Sequence, residues 1–484
     1  MSSTPVTVLC GALGAGKTTL LSHLLASDER DVAVLVNDVG EVNVDADLVE
    51  ARTDLADGGE LVALENGCIC CSLGGELSRA VIDLWRNHDF DALVIEASGV
   101  GEPEPIAEQF VRGPAGGPYD LDALVTVVDA RDFYDRFVAG RDGTVPTRST
   151  LADTDATRPL SDLLLEQIEF CDHLVLNKCD LVSADERDAA VALLETLQPH
   201  ADVVTTEYGV VDPDTILERG GVDLESIKRA AGWKQAVESL EDDLDTHTGH
   251  DSAEGDHDEH SHDHGHDEHS HDHGHDEHSH DHGHDEHSHD HGHDEHSHDH
   301  GHGEDCGHDH GEACEHDHDH SSHDHESAHA RYGIEVDGYR RGRPFHPERF
   351  ARLLASLPDG LVRAKGLCWI AGREDQAITM SFAGSQTTLG VTGRWIASLP
   401  ESRQEPYRRG QPDLPWDERW GDRESRLALI GRDLDVEALA ARLDECLLTD
   451  EELAAEDEWT GYENPAPTAM GATVTVDLEA PPTI

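Results

Sequence analysis

The chain has 484 residues, enough for two or three domains, 37% of them hydrophobic, and carries a net charge of −68 at pH 7. That charge argues against nucleic acid or an anionic membrane as partner, since either would need basic patches. No apolar run reaches the roughly 18 residues of a membrane-crossing helix, and no basic segment precedes the first apolar run, so a cytoplasmic location is expected.

The first element is an apolar, β-branched run, Val6 to Leu9, read as a buried strand. It leads into Gly11-Ala12-Leu13-Gly14-Ala15-Gly16-Lys17-Thr18-Thr19, and Leu20 to Leu25 follows with helical spacing. Glycine, four residues, then Gly-Lys-Thr is the phosphate-binding P-loop pattern. Glycines let backbone N–H groups curl round a phosphate chain, and the helix N-terminus adds positive potential. Lys17 would meet the β- and γ-phosphates, and Thr18 would hold Mg²⁺.

Val32 to Val36 reads as a second strand, with Asn37, Asp38, Gly40 and Glu41 at its carboxyl end. That edge is where ligands sit in a doubly wound sheet, so Asp38 and Glu41 are candidate catalytic acids. Cys68, Cys70 and Cys71 form a C-x-C-C cluster ahead of a helix expected over 76–86. Three neighbouring thiolates suit one borderline ion and leave a fourth position open, the profile of an exchangeable site. Buried core thiols and a redox switch are the other readings of this cluster.

The next strand, Ala92 to Ile95, ends in Glu96, placed to serve the Mg²⁺ water shell or the attacking water. A strand over 124–128 and a helix over 160–170 lead to a strand over 173–176. Asn177-Lys178-Cys179-Asp180 follows it. This is the N-K-x-D pattern. A carboxylate at Asp180 accepts from the N1–H and amino group of guanine, whereas adenine leaves it unpaired. After a P-loop, that points to GTP. Alternating strands and helices therefore predict a three-layer α/β domain with a mostly parallel sheet over 1–235.

Composition then shifts. The nonapeptide Asp-Glu-His-Ser-His-Asp-His-Gly-His occurs five times over 258–302, and 31 of the 36 histidines lie within 247–329, a stretch without lysine or arginine. Such a tract, taken as 240–330, cannot bury a core and is expected to be disordered without metal. Its imidazoles, with Cys306 and Cys314, suit Zn²⁺, Ni²⁺, Co²⁺ or Cu²⁺. A smaller α+β domain is expected over 331–455, with an acidic, disordered tail at 456–484. His346 and Cys368 read as structural residues of that domain. Five lysines stand against 30 arginines. This acid-rich, lysine-poor balance predicts adaptation to high salt, where self-repulsion is screened.

Taken together, "GALGAGKTT", "NDVGEVNVD", "GCICC", "EASGVGEPEPI", "NKCD", "RRGRPFHPERF", "RAKG" and "GDRESRLALIG" resemble the CobW-like family of P-loop GTPases. The family acts in metal homeostasis and metal-cofactor assembly. The resemblance covers both folded domains. It implies that Gly11, Gly14, Ala15, Gly16, Lys17, Thr18 and Thr19 bind phosphates, and that Thr18 and Glu96 serve Mg²⁺. Asn177, Lys178 and Asp180 would take guanine, while Cys68, Cys70 and Cys71 would take the cargo ion. Asn37-Asp38-Val39-Gly40 departs from the family's Asn-Glu-Phe-Gly. The implied function is a GTP-hydrolysing metallochaperone that passes a metal, Zn²⁺ first and Co²⁺ second, to a metal-requiring client protein. Cobalt supply for cobalamin synthesis is the alternative within the family. Metal storage or sensing with a structural nucleotide is the alternative outside enzymology. Related GTPases often form nucleotide-dependent homodimers.

Overall fold

A computed structural model of the chain describes residues 3–27, 30–36, 61–63, 75–99, 101–139, 160–217, 219–247, 331–411 and 414–476. Asp38, Glu41, the Cys68 to Cys71 cluster and the histidine-rich tract lie outside these residues.

The N-terminal lobe is a seven-stranded sheet in the order β3-β2-β4-β1-β5-β6-β7. The strands are β1 (Thr4–Gly11), β2 (Val32–Val36), β3 (Leu61–Ala63), β4 (Ala92–Glu96), β5 (Tyr119–Asp129), β6 (His173–Asn177) and β7 (Asp202–Thr205). Every pairing among them is parallel. Helices cover both faces, so the central strands are apolar on both sides; β2 and β4 are buried along their whole length. The helices are α1 (Lys17–Ser27), α2 (Gly75–Asn87), α3 (Pro103–Val111), α4 (Ala130–Phe133), α5 (Leu160–Glu169), α6 (Ala184–Leu197), α7 (Leu224–Ala230) and α8 (Gly232–His247).

β5 begins five residues before the expected start at 124, because Asp120 and Asp122 interrupt its apolar run. Asp122 is nonetheless buried, its carboxylate accepting the backbone N–H groups of Arg219 and Gly220 at 2.9 Å each. Residues 203–209 read in sequence as a last strand followed by a base-side loop; the strand is β7, ending at Thr205, and the loop returns so that the Gly209 N–H donates to Asn177.

The C-terminal lobe is a six-stranded antiparallel sheet in the order β13-β11-β10-β9-β12-β8. Its strands are β8 (Ile334–Arg341), β9 (Leu361–Cys368), β10 (Gln376–Ala383), β11 (Gln386–Arg394), β12 (Ser425–Arg432) and β13 (Thr473–Val476). Among its helices, α9 (Pro347–Leu354) and α11 (Val436–Asp444) send Phe350, Leu353, Leu354, Leu439 and Leu443 into one core; α10 (Glu401–Gly410) and α12 (Asp450–Ala454) complete the set. Strand alternation divides the sheet's faces. Leu361 and Leu429 join that core, while Val362 and Ile430 join the core of the N-terminal lobe. The second face is met by α5 and α8. Gly338 lies so close to α8 that a Cβ there would fall 2.5 Å from Leu240.

The tail from 456, expected to be disordered, is structured over its described residues, 456–476. Trp459 is buried and its indole N–H donates to the Glu452 carbonyl at 2.8 Å. β13 then adds to the sheet beside β11. The many acids and prolines of this segment concealed one aromatic anchor and one β-branched run.

Candidate functional site

Strands β1, β4, β5 and β6 end at one edge of the parallel sheet, and the expected motifs meet there. Leu9 of β1 is level with Glu96 of β4, and Asp129 of β5 with Asn177 of β6. Between β1 and α1 the loop turns through glycines that no other residue could replace without strain. Gly16 has φ +107°, and a Cβ on it would stand 2.3 Å from the Asn177 side-chain nitrogen. Gly11 has φ +139° and lies against the Val127 carbonyl.

Lys17 begins α1 and is buried, its Nζ donating to the Gly11 carbonyl at 2.8 Å and the Ala12 carbonyl at 3.3 Å. It thus lies within the loop that it would share with a phosphate chain. The Thr18 hydroxyl donates to Glu96 Oε1 at 3.1 Å. Two hard oxygen ligands so placed, at the start of a helix, suit Mg²⁺, which keeps several of its waters and needs few protein ligands.

Asn177 lines the site and also fastens it together. Its side-chain N–H donates to the Ala15 carbonyl at 2.9 Å, and its oxygen accepts the Gly209 N–H at 2.9 Å. One buried amide therefore ties β6 to the P-loop and to the loop after β7. Lys178 sits in the left-handed region at φ 61°. Its Nζ donates to the Gly14 carbonyl at 2.5 Å and to Asp129 Oδ2 at 2.7 Å. The other oxygen of Asp129 caps α4, accepting from the N–H groups of Arg131 and Asp132. Gly14, Gly16, Thr19, Asn177, Lys178, Asp180, Leu181 and Tyr208 line a cleft of about 370 Å³.

The structure therefore brings together Gly11, Gly14, Ala15, Gly16, Lys17, Thr18, Thr19, Glu96, Asn177, Lys178 and Asp180. Asp129 is a residue that sequence reading missed as a site member, while Tyr208 falls in the base-side loop read over 203–209 without having been singled out. Asp129 left one signal, an acid ending a strand next to β6. Among the described residues no group of three or more His, Cys, Asp or Glu side chains comes together as a metal site. The described cysteines are Cys10, Cys171, Cys179, Cys368 and Cys446, all buried or half-buried. Burial holds each thiol above its ordinary range, Cys10 to about 12 and Cys446 to about 11. None of the five is a thiolate at neutral pH, so they are poor ligands and poor nucleophiles.

A parallel α/β sheet with a P-loop after β1, an acid closing β4 and N-K-x-D closing β6 defines a P-loop nucleotide-binding protein of the GTPase class. Residues 5–205 match the CobW/HypB/UreG nucleotide-binding domain, and residues 334–447 match the cobalamin synthesis protein cobW C-terminal domain. The two matches together span well over half of the sequence, and the chain belongs to the CobW family of P-loop GTPases.

Among its relatives is a zinc-regulated GTPase metalloprotein activator 1 of Dictyostelium discoideum, 28% identical over 95% of this chain and 83% of that protein. The zinc chaperone CobW of Pseudomonas aeruginosa is 33% identical over 38% of this chain and 51% of its own length. The zinc chaperone YjiA of Escherichia coli is 33% identical over 46% of this chain and 64% of its own. A crystal structure of Zn(II)-bound YjiA GTPase aligns with 92% of this chain and 99% of that one, at 19% identity and a TM-score of 0.34.

Proposed function

We propose that the chain is a GTP-driven metallochaperone that carries zinc at Cys68, Cys70 and Cys71 and passes it to a metal-requiring client. The observation that carries the nucleotide half is the Asn177 amide. It fastens the N-K-x-D turn to Ala15 of the P-loop, so that Asp180 and the phosphate loop face one cleft. In this reading Asp180 accepts from the guanine edge and Lys17 turns from the Gly11 carbonyl to the β- and γ-phosphates. Thr18 and Glu96 serve Mg²⁺. Glu96, Asp38 and Glu41 are the acids available to orient the attacking water. The metal half rests on the C-x-C-C spacing and on relatives named as zinc chaperones. β2 ends at Val36 and α2 begins at Gly75. The intervening residues hold both the acids and the thiols, so a γ-phosphate that draws in Asp38 and Glu41 acts on the same segment that carries the thiolates.

The test titrates Zn²⁺ and Co²⁺ against the full chain in apo, GDP-loaded and non-hydrolysable GTP-loaded forms. A chelator holds free metal low enough to leave isolated imidazole sites empty. The GTP-loaded form should take up one additional ion about tenfold more tightly than the GDP form, and Cys70→Ser should abolish that gain. Equal uptake in all three nucleotide states would leave storage or sensing by the histidine-rich tract as the better account. A GTP-dependent preference for Co²⁺ would favour cobalt supply instead.

A further inference from the structure

Three non-glycine residues among those described have a left-handed backbone: Lys178 at φ 61°, Tyr208 at φ 57° and Asp433 at φ 49°. Two of the three line the same cleft. For Lys178 the cause is visible, since the turn delivers its ammonium to both Gly14 and Asp129. Tyr208 has no such internal reward. The residue is 66% exposed, and a bulky aromatic residue seldom adopts this conformation.

The surrounding loop holds it there. The next residue, Gly209, has φ +72°, donates its N–H to Asn177 and packs so tightly that a Cβ would fall 2.9 Å from the Leu20 backbone nitrogen. Thr206 closes the turn by donating its hydroxyl to the Val210 carbonyl at 2.6 Å. The loop is therefore fastened to α1, to β6 and to itself, and it presents an aromatic ring to solvent beside Asp180. Leu181, 53% exposed, lines the same cleft. The Lys178 side chain, held by two acceptors, lines it as well.

Within the GTP reading, on which this step rests, we propose that Tyr208 is a wall of the base slot and stacks on the nucleobase that Asp180 reads at its edge. Stacking and edge recognition are separable. A ring packs on the face of any base, whereas the carboxylate distinguishes guanine by its donors. Tyr208 then sets affinity and residence time, and Asp180 sets identity. An exposed ring on a pre-fastened loop also costs little ordering entropy when the base arrives.

Binding of GDP, ADP and xanthosine diphosphate is measured on the full chain by titration calorimetry, for wild type, Tyr208→Ala, Tyr208→Gly, Tyr208→Phe, and Asp180→Asn with and without Tyr208→Ala. Tyr208→Ala should bind GDP about tenfold more weakly than wild type. In the Asp180→Asn background it should lower xanthosine diphosphate affinity by the same factor. Tyr208→Phe should stay within about twofold of wild type. Tyr208→Gly separates the ring from the backbone, because glycine is at ease at this φ. It should lose affinity as alanine does, and GDP binding by the alanine or glycine variant within about twofold of wild type overturns the inference. A wild-type protein that prefers ADP would sink the guanine reading. The Tyr208 comparison, made on ADP, would then still decide the stacking. A wild type that binds neither nucleotide overturns both.

Discussion

Gly16 packs directly against the Asn177 side chain, and its environment makes a sharp prediction. A methyl group there would meet the Asn177 amide at 2.3 Å on a backbone already at φ +107°. Gly16→Ala can be accommodated only by displacing Asn177 or by turning the loop, and either breaks the link between P-loop and base site. Guanine nucleotide affinity should fall on the order of 100-fold, from the cost of a left-handed alanine plus the lost amide bond. The thermal midpoint without nucleotide should fall as well, by roughly 2–8 °C per kcal/mol, since the same strain and the lost Asn177 bonds burden the native state. A GDP titration and a melting curve check the two halves. The glycine itself is readable in sequence from Gly-Lys-Thr. Its clash partner is not, because Asn177 lies 161 residues downstream and only the parallel register of β5 and β6 brings it in. The same holds for Asp129, which caps a helix with one oxygen and holds Lys178 with the other. No short motif encodes that double duty.

At the scale of elements, the joint between lobes turns on Arg363. This β9 side chain is fully buried. It donates to Glu169 at 2.6 and 2.9 Å and to Asp162 at 2.8 Å, both on α5. Ser381 of β10 adds a bond to Asp162 at 2.6 Å. The two carboxylates hold the guanidinium charged against a large desolvation cost. Removing the arginine takes the main cation from two buried acids, leaving Ser381 on Asp162 and Lys365 at 3.4 Å from Glu169, so Arg363→Met should destabilise the protein by roughly 3–5 kcal/mol. Arg363→Met with Asp162→Asn and Glu169→Gln should recover much of that loss, because the stranded charges are gone. Chemical denaturation of the two variants tests this, and a single variant as stable as wild type would refute it. The pattern "RAKG" was legible as part of the second domain, but nothing in it announced a contact with a helix 194 residues earlier. Strand and helix periodicity reports which faces are apolar. It is silent on a buried ion pair, whose members look like surface residues until their partners are known.

For the whole molecule the governing quantity is charge, and the structure refines what composition suggests. None of the five lysines is fully exposed. Lys17 is buried in the phosphate loop, Lys178 lines the cleft, Lys228 pairs with Glu104 at 2.6 Å, and Lys365 and Lys234 lie over the Trp233 ring at 4.9 and 5.4 Å. Exposed positive charge among the described residues is therefore arginine, set in a chain of net charge −68. Self-repulsion at this density falls steeply as the screening length shrinks from about 10 Å at 0.1 M salt to about 3 Å at 1 M. The unfolding midpoint should rise with KCl and flatten near 1 M if screening dominates, with NaCl equivalent at equal ionic strength. A rise that continues to several molar, and is much larger in sulfate, would assign the effect to solute exclusion from the surface instead. Nucleotide binding gives the independent check. Most sites for polyanions weaken as salt rises, because the protein's cations are screened from the phosphates. Here the phosphate loop holds Lys17 and the cleft beside it Lys178, inside an acidic whole, so the long-range term is repulsive while the short-range contacts are buried or half-buried and poorly screened. Affinity for Mg²⁺-GDP should therefore increase between 0.1 and 1 M KCl. A decrease over that range would mean that the local lysines, not the global field, control the encounter, and the high-salt reading of the composition would lose its functional support.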